Sequence, residues 1–428
     1  MTETLSPRRE RIARVVTASL IGTTVEWYDF FLYGSAAALV FNKVFFPTAD
    51  PLTGTLLAFA TYAIGFGARP LGGLVFGHFG DRLGRKRLLV LSLLMMGGAT
   101  FLMGVLPSYA SFGVGAPLLL TALRLVQGFA LGGEWGGSVL IVAEHGSDRH
   151  RGFWASWPQA GAPGGNLLAT AVLAVLAAVQ SEQDFASWGW RIPFLLSGLL
   201  VAIGLWIRVR IEETPVFQAV ADEPERTPVV TVLRTQWREV LVAMGARMGE
   251  NISYYVITSF ILVYVVEALK LPKSTALNAV LIGSAVELVA IPLWGALSDR
   301  VGRRPVYLFG AVGMALWVFA FFAILDVRST WAIVSATTVA LVLHGAMYGP
   351  QAAFFSELFG TRVRYSGSSI GYQLASILAG GLAPLIATAL LAAFASAVPV
   401  AVYVAAGALI SVLAVTVSRE TTGRSLDS

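Results

Sequence analysis

Long apolar runs recur along this chain at nearly regular intervals, separated by short polar breaks. Twelve can be marked, roughly 16–41, 53–79, 88–107, 114–143, 152–179, 191–210, 240–266, 275–297, 305–325, 331–355, 366–392 and 396–417. A helix needs about 20 apolar residues to cross the hydrocarbon core of a bilayer, so the pattern predicts an all-α polytopic membrane protein with twelve transmembrane helices. Runs 4, 5, 10 and 11 are long enough to tilt or kink, and glycines and prolines punctuate them. The widest polar break, RVRIEETPVFQAVADEPERTPVVTVLRTQWREV at 208–240, is charged and holds three prolines. It divides the spans six and six. The expected organisation is an N-terminal six-helix half at 1–207, a linker at 208–239 and a C-terminal six-helix half at 240–428.

Composition agrees with this class. Of 428 residues 56% are hydrophobic and 13% charged, with a mean hydropathy of +0.72; ordinary soluble domains carry about 25% charged residues. With no cysteine, disulfides, thiolate metal sites and cysteine nucleophiles are excluded. The four histidines (His78, His145, His150 and His344) show no metal-ligand spacing. No metal, no cofactor and no enzymatic activity are expected. The basic N-terminus leads into an apolar run much longer than a signal-peptide core, which reads as an uncleaved first span.

The net charge of +5 is explained by where it lies. The termini and the loops after even-numbered spans hold 22 Lys and Arg, against five (Lys43, Arg191, Lys270, Lys273 and Arg328) after odd-numbered spans. The positive-inside rule then places both termini in the cytoplasm. The basic excess faces a membrane surface, so no nucleic-acid role is expected. An internal repeat supports the two halves: GHFGDRLGRKR at 77–87 and GALSDRVGRRP at 295–305 match at a constant offset of 218 residues. Such repeats mark transporters with a central site at the repeat interface.

The loop pattern G-x-x-x-D-R-x-G-R-[KR], present twice, is similar to the signature of the major facilitator superfamily. EWYDFFLYG in span 1, RPLGG at 69–73, RLVQGFALGGEWGG at 124–137, WGWRIPF at 188–194, EETPVF at 212–217 and SELFGTRVRYSGSSIGYQ at 356–373 narrow it. Together they resemble the metabolite–proton symporter family, whose members carry shikimate, α-ketoglutarate, citrate or proline/betaine. The resemblance implies the major facilitator fold and proton-coupled transport. It leaves the solute open. Some osmosensing members carry a long charged C-terminal extension, and SRETTGRSLDS after span 12 does not resemble it.

Eight ionisable residues lie well within spans: Glu26, Asp29, Arg69, Arg124, Glu134, Arg247, Glu250 and Glu287. A charge at a helix centre costs about 2.5 to 3.5 kcal/mol on the insertion scale, and such residues generally face a polar interior and mark ion or substrate paths. Six of the eight fall on spans 1, 4 and 7, which with span 10 line the central cavity in the resembled superfamily. Asp29 stands where related sugar carriers place a protonating aspartate, and Arg124 resembles the span-4 arginine that pairs with it. A conformational change that separates the two would switch protonation, because a neighbouring cation and desolvation act in opposite directions on a carboxyl. A permanent ion pair between spans 1 and 4 is the competing reading. Glu26, one turn before Asp29, is a second proton candidate, a ligand for a donor group on the solute or a structural acceptor, and Glu134 is a gate, a proton relay or a buried hydrogen bond. Arg247 and Glu250 either neutralise each other or, with Asn251 and Tyr254, bind the solute from the C-terminal half. Arg69 is expected to cap carbonyls freed by Pro70, with substrate contact as the competing reading, and Glu287, alone in span 8 near the midplane, is a gate or proton relay or makes a buried hydrogen bond. Gln127, Gln159, Tyr348, Gln351 and Gln373 complete the expected solute site, and Tyr33, Trp157, His344 and Tyr372 are polar or aromatic neighbours. Asn166 and the GAPGG before it are expected to pack spans 5 and 8 closely.

By the same resemblance Asp81, Arg85, Glu144 and Arg151, with the counterparts Asp299, Arg303, Glu357, Arg362 and Arg364, form salt bridges that close the cytoplasmic side. The expected function is proton-coupled uptake of a small carboxylate-bearing metabolite by alternating access, as a monomer in a bacterial inner membrane. Its partners are the metabolite, the proton and the bilayer. Uptake of a zwitterionic osmolyte is the alternative. A membrane enzyme would need a nucleophile–base or metal-ligand cluster, and none is present in the pattern.

Overall fold

The structure, a computed structural model, describes residues 6–83, 85–132, 148–210, 232, 234–360 and 364–424; for 6–15, 18, 74, 77–83, 85–89, 148, 207–210 and 364–366 it describes the backbone alone. These residues form twelve long helical segments: α1 (Ser6–Leu39), α2 (Pro51–Leu83), α3 (Arg85–Gly104), α4 (Gly115–Leu131), α5 (Arg151–Val179), α6 (Arg191–Arg210), α7 (Trp237–Ala268), α8 (Lys273–Val301), α9 (Arg303–Leu325), α10 (Thr330–Leu358), α11 (Arg364–Phe394) and α12 (Val398–Val417). Each matches one predicted apolar run. Among the described residues eight helices are long and apolar enough to cross a membrane, or nine if Glu182–Gly189 and Arg191–Trp206, bent by 45°, are one broken span. The shorter Val90–Gly104 and Gly115–Leu131 are apolar as well.

An all-helical chain is what a bilayer selects, since a helix satisfies its own backbone where no water is available. The interruptions are local. α7 contains π-helical turns at Val256–Phe260 and Tyr264–Ala268, and α11 contains one at Ser376–Gly381, just before Pro384. Single π-turns inside helices recur at functional sites; Val256–Phe260 and Ser376–Gly381 adjoin the central residues Tyr255 and Arg247, whereas Tyr264–Ala268 closes the end of α7 beside Asp326.

The helix contacts repeat as the sequence does. α2 packs on α4, α3 on α6 and α1 on α5, matched by α8 on α10, α9 on α12 and α7 on α11. Small residues set these approaches. At Gly128 on α4 an added Cβ would run into the backbone of Gly65 on α2, and at Gly152 on α5 it would stand 2.5 Å from the Gly295 oxygen on α8. The α5–α8 contact joins the halves, and Asn166 donates to Ser284 across it at 3.1 Å. Gly161 and Gly165 of the predicted packing stretch face α1, while Gly164 faces both α1 and Leu288 of α8. Outward, Leu293, Leu316, Leu413 and Val417 are exposed, as a lipid-facing perimeter requires.

Candidate functional site

The N-terminal half brings its buried charges together around aromatic rings. Asp29 on α1, Arg69 on α2 and Arg124 on α4 are 2%, 2% and 0% exposed. The Arg124 guanidinium carbon lies 4.6, 4.4 and 4.5 Å from the ring centres of Phe30, Tyr33 and Tyr62. Its Nη1 donates to Gln127, whose amide donates in turn to Thr100 on α3 at 2.9 Å. Arg69 sits 4.5 Å over Phe30 and 3.9 Å over Phe66. In both arginines Nε and Nη2 lack a hydrogen-bond partner. A ring face stabilises a desolvated cation by about 2 kcal/mol, but it accepts nothing from the in-plane N–H groups. Each buried donor left unmade costs about 1–3 kcal/mol, and more when charged. Nε and Nη2 together form the side edge of the guanidinium fork, which matches a carboxylate bidentately.

The C-terminal half holds a continuous polar chain. Arg247 on α7 contacts Glu250 Oε2 at 3.3 Å, donates to Gln351 at 2.8 Å and to Asn251 at 3.0 Å, and lies 3.4 Å over the Tyr372 ring. Gln351 on α10 donates to Glu250 Oε2 and to the Tyr307 hydroxyl, each at 3.2 Å. Glu250 Oε1 lies 3.1 Å from His344 Nε2, and His344 Nδ1 contacts Glu287 Oε1 on α8. All four members of this charged chain are at most 3% exposed. Tyr254 and Tyr348 flank the imidazole, with ring centres 4.6 and 5.3 Å away.

The two clusters meet across aromatic contacts between the halves. Phe31 stacks near Tyr254 at 5.3 Å, and Tyr255 lies 6.1 Å from Phe30, 6.2 Å from Tyr62 and 5.7 Å from Phe66. Ion pairs link the halves toward both ends of the molecule. At the end where α1 begins and α12 finishes, Arg151 on α5 pairs with Glu357 on α10 at 2.9 Å. Arg303 on α9 pairs with Glu357 at 3.1 Å and with Asp299 on α8 at 2.7 Å. Asp299 also accepts the first amides of α5, from Gly152 at 2.8 Å and Phe153 at 2.9 Å, a carboxylate placed where a helix N-terminus favours one. Ala155 packs on Ala352 and Ala353 beside them. At the opposite end Lys273 pairs with Glu182 at 2.9 Å. Between the two ends, Phe66 of the central cluster lies against Gly380 and Gly381 of the α11 π-turn.

The sequence profile of the Major Facilitator Superfamily matches residues 19–384, and again 244–427. The chain belongs to the major facilitator superfamily. Over 416 residues it is 43% identical to the shikimate transporter of Escherichia coli (strain K12), covering 96% of this chain and 94% of that protein. It is 33% identical to the proline/betaine transporter of the same organism over 427 residues, 97% of this chain and 85% of that one. Among solved structures it resembles the proton:xylose symporter XylE bound to 6-bromo-6-deoxy-D-glucose, with a TM-score of 0.77 at 17% identity over 98% of both chains. The superfamily is one of transporters, not enzymes, and the multi-pass inner-membrane location fits its bacterial relatives.

Within this superfamily member several sequence expectations are refined. No ion pair joins Asp29 to Arg124 among the described residues: the Asp29 carboxyl faces Thr100 and Gly97 of α3, while Gln127 and three rings hold Arg124. Arg69 does not cap carbonyls near Pro70; it stacks on Phe30 and Phe66. Glu287 is not alone, because His344 reaches it from α10. Arg247 and Glu250 do meet, with Asn251, Tyr254, Tyr348 and Gln351 around them. Gln159 is buried with Nε2 unbonded, and Gln373 donates to the Gly132 carbonyl of the other half at 3.3 Å. Glu26 is buried at 7% exposure one turn before Asp29. Of the expected gate, Arg151, Asp299, Arg303 and Glu357 come together. Glu134, Glu144 and Arg362 lie outside the described residues, as do the side chains of Asp81, Arg85 and Arg364. Tyr307 and the His344 bridge escaped the sequence reading, although a histidine and a lone glutamate in apolar spans were a signal in themselves.

Proposed function

We propose that this protein takes up a small carboxylate-bearing metabolite with protons, by alternating access between its two halves. The observation that carries the reading is the pair of buried arginines, Arg69 and Arg124, each with its Nε/Nη2 edge unbonded beside aromatic rings. A carboxylate supplies the two in-plane acceptors that each edge lacks, and Phe30, Tyr62 and Phe66 supply faces for an apolar body or ring. Arg247 offers a third cation from the C-terminal half. Asp29, with Oδ1 unbonded, is the proton acceptor of the N-terminal half, assisted by Glu26 and Glu134.

The proposal extends to orientation and assembly. Twelve spans, in halves 1–207 and 240–428 joined by the linker at 208–239, place both termini in the cytoplasm, and one chain is the working unit. Arg151, Asp299, Arg303 and Glu357 then form the cytoplasmic gate, with Asp81, Arg85, Glu144, Arg362 and Arg364 as further members. Rocking of the halves breaks these pairs to release solute and proton inside.

The test is substrate-induced proton movement in proteoliposomes with an internal pH dye, offering shikimate, α-ketoglutarate, citrate, proline and betaine in turn. The expected result is internal acidification with one of the acids, abolished in Asp29→Asn. Acidification with proline or betaine alone would replace the carboxylate reading by the zwitterion one. Solute entry with no proton signal would overturn the coupling.

A further inference from the structure

His344 makes two contacts that a neutral imidazole cannot both satisfy. Its Nε2 faces Glu250 Oε1 at 3.1 Å and its Nδ1 faces Glu287 Oε1, and both acceptors are carboxylates. A neutral imidazole carries one N–H and one lone pair. Without a further proton, one of the two contacts would set lone pair against lone pair in a buried site. The arrangement therefore holds one proton more than a neutral histidine and two carboxylates supply, either as an imidazolium or on a carboxyl.

We propose that Glu250, His344 and Glu287 form a proton site in the C-terminal half that fills and empties in step with anion binding at Arg247. This rests on the carboxylate reading above and adds a second place for the proton, on the opposite half from Asp29. Glu250 is the shared element: Oε1 faces His344 while Oε2 faces Arg247 at 3.3 Å. With the proton in place, as an imidazolium or on a carboxyl, the chain with Arg247 is neutral overall, and Arg247 keeps charge for an incoming carboxylate. With the proton gone, Arg247, Glu250 and Glu287 carry a net charge of −1 beside a neutral imidazole, and an anion would add to it among buried groups. Proton and anion thus favour each other, by the same factor in both directions. Among the described residues the charged and titratable groups facing the chain are Arg247, Tyr254 and Tyr255 on α7, Tyr307 on α9, Tyr348 on α10 and Tyr372 on α11, with Arg69 of α2 near Arg247, while α5 presents the uncharged Asn166. Arg247 is the fixed charge in direct contact with Glu250.

Two measurements on the full chain test this. The first follows the KM for shikimate, used as the carboxylate probe, against pH in proteoliposome exchange. Each proton bound with the solute gives a tenfold change in KM per pH unit above its midpoint. In Glu287→Gln and His344→Gln this slope falls by one proton in whatever exchange remains. An unchanged slope in both variants overturns the proposal. The second needs no solute: ¹⁵N-histidine NMR of the protein in nanodiscs, with the His344 signals identified by their loss in His344→Gln. A doubly protonated ring, or one sharing its proton with Glu287 and altered in Glu287→Gln, supports the site. A neutral ring indifferent to Glu287→Gln overturns it. If wild-type protein exchanges no carboxylate at all, the carboxylate reading fails and the NMR result still decides the proton site.

Discussion

Replacing Glu357 by glutamine should open the end of the molecule where α5 meets α8 and α10. Glu357 Oε1 accepts from Arg151 at 2.9 Å and from Arg303 at 3.1 Å, and Oε2 accepts from Arg303 at 3.2 Å and from Thr421 at 2.7 Å. Glutamine keeps one acceptor, loses the charge and turns an NH2 group toward a cation. Arg303 retains Asp299 at 2.7 Å, so the loss concentrates on the contact between the halves. A buried pair broken outright costs about 3–5 kcal/mol. That is an upper bound, because opening lets the stranded arginine rehydrate. One charge-assisted hydrogen bond, about 1.5–3 kcal/mol, is the better measure, and about 2–3 kcal/mol shifts the closed-to-open ratio roughly 30- to 150-fold. Ala155, 0% exposed against Ala352 and Ala353, reports the opening once changed to cysteine, since the chain has no other cysteine. Maleimide labelling of Ala155→Cys should accelerate at least about 30-fold in the Glu357→Gln background if it follows the open population. Arg151→Gln should accelerate it similarly, and the two together by less than the product, because they remove the same contact. Labelling within twofold of the parent in both backgrounds would refute the argument that this ion pair holds the halves shut.

Two further outcomes follow from single positions. Gly65→Ala places a Cβ 2.7 Å from Arg124 Nε and 2.9 Å from its Cγ, whereas Gly67→Ala meets nothing within 4 Å; displacing Arg124 should raise the KM for the accepted carboxylate about tenfold, the equivalent of one hydrogen bond to a charged group, while Gly67→Ala leaves it unchanged in the same proteoliposome assay. Glu420, beyond α12, accepts from the amides of Arg303 and Arg304 at 2.9 and 3.1 Å. Partial burial would raise its pKa, but the hydrogen bonds from Thr422, Arg303 and Arg304 outweigh this and lower it. A lowered carboxyl contributes its stabilisation above its unfolded-state value and loses it only as pH falls through the lower folded one. Trypsin cleavage after Arg419 should therefore show no tail release between about pH 6 and 8 beyond the protease's own profile, and Glu420→Gln should speed it several-fold at neutral pH.

The coarse architecture was legible because a bilayer makes hydropathy and helix nearly the same signal. Among the described residues each apolar run corresponds to a long helical segment, eight or nine of them long and apolar enough to cross a membrane, and the offset of 218 residues is accompanied by matched helix contacts in each half. Pairings within one helix were legible too: Arg247 and Glu250, one turn apart, do touch. What periodicity cannot supply is the rotation of one helix against another. Glu287 and His344 lie 57 positions apart on different helices. Their meeting depends on how α8 crosses α10, which Gly349 allows by bringing its own backbone against Ile291. The same limit explains Asp29. Its place on α1 was plain, but the few tens of degrees that separate a carboxyl facing α3 from one facing α4 depend on Phe30, Tyr33 and Tyr62 filling the space around Arg124. Those rings read in the sequence as ordinary core. In the folded protein they are the reason that a buried arginine can keep an unbonded edge in the plane of its guanidinium, the feature on which the proposed preference for anions rests.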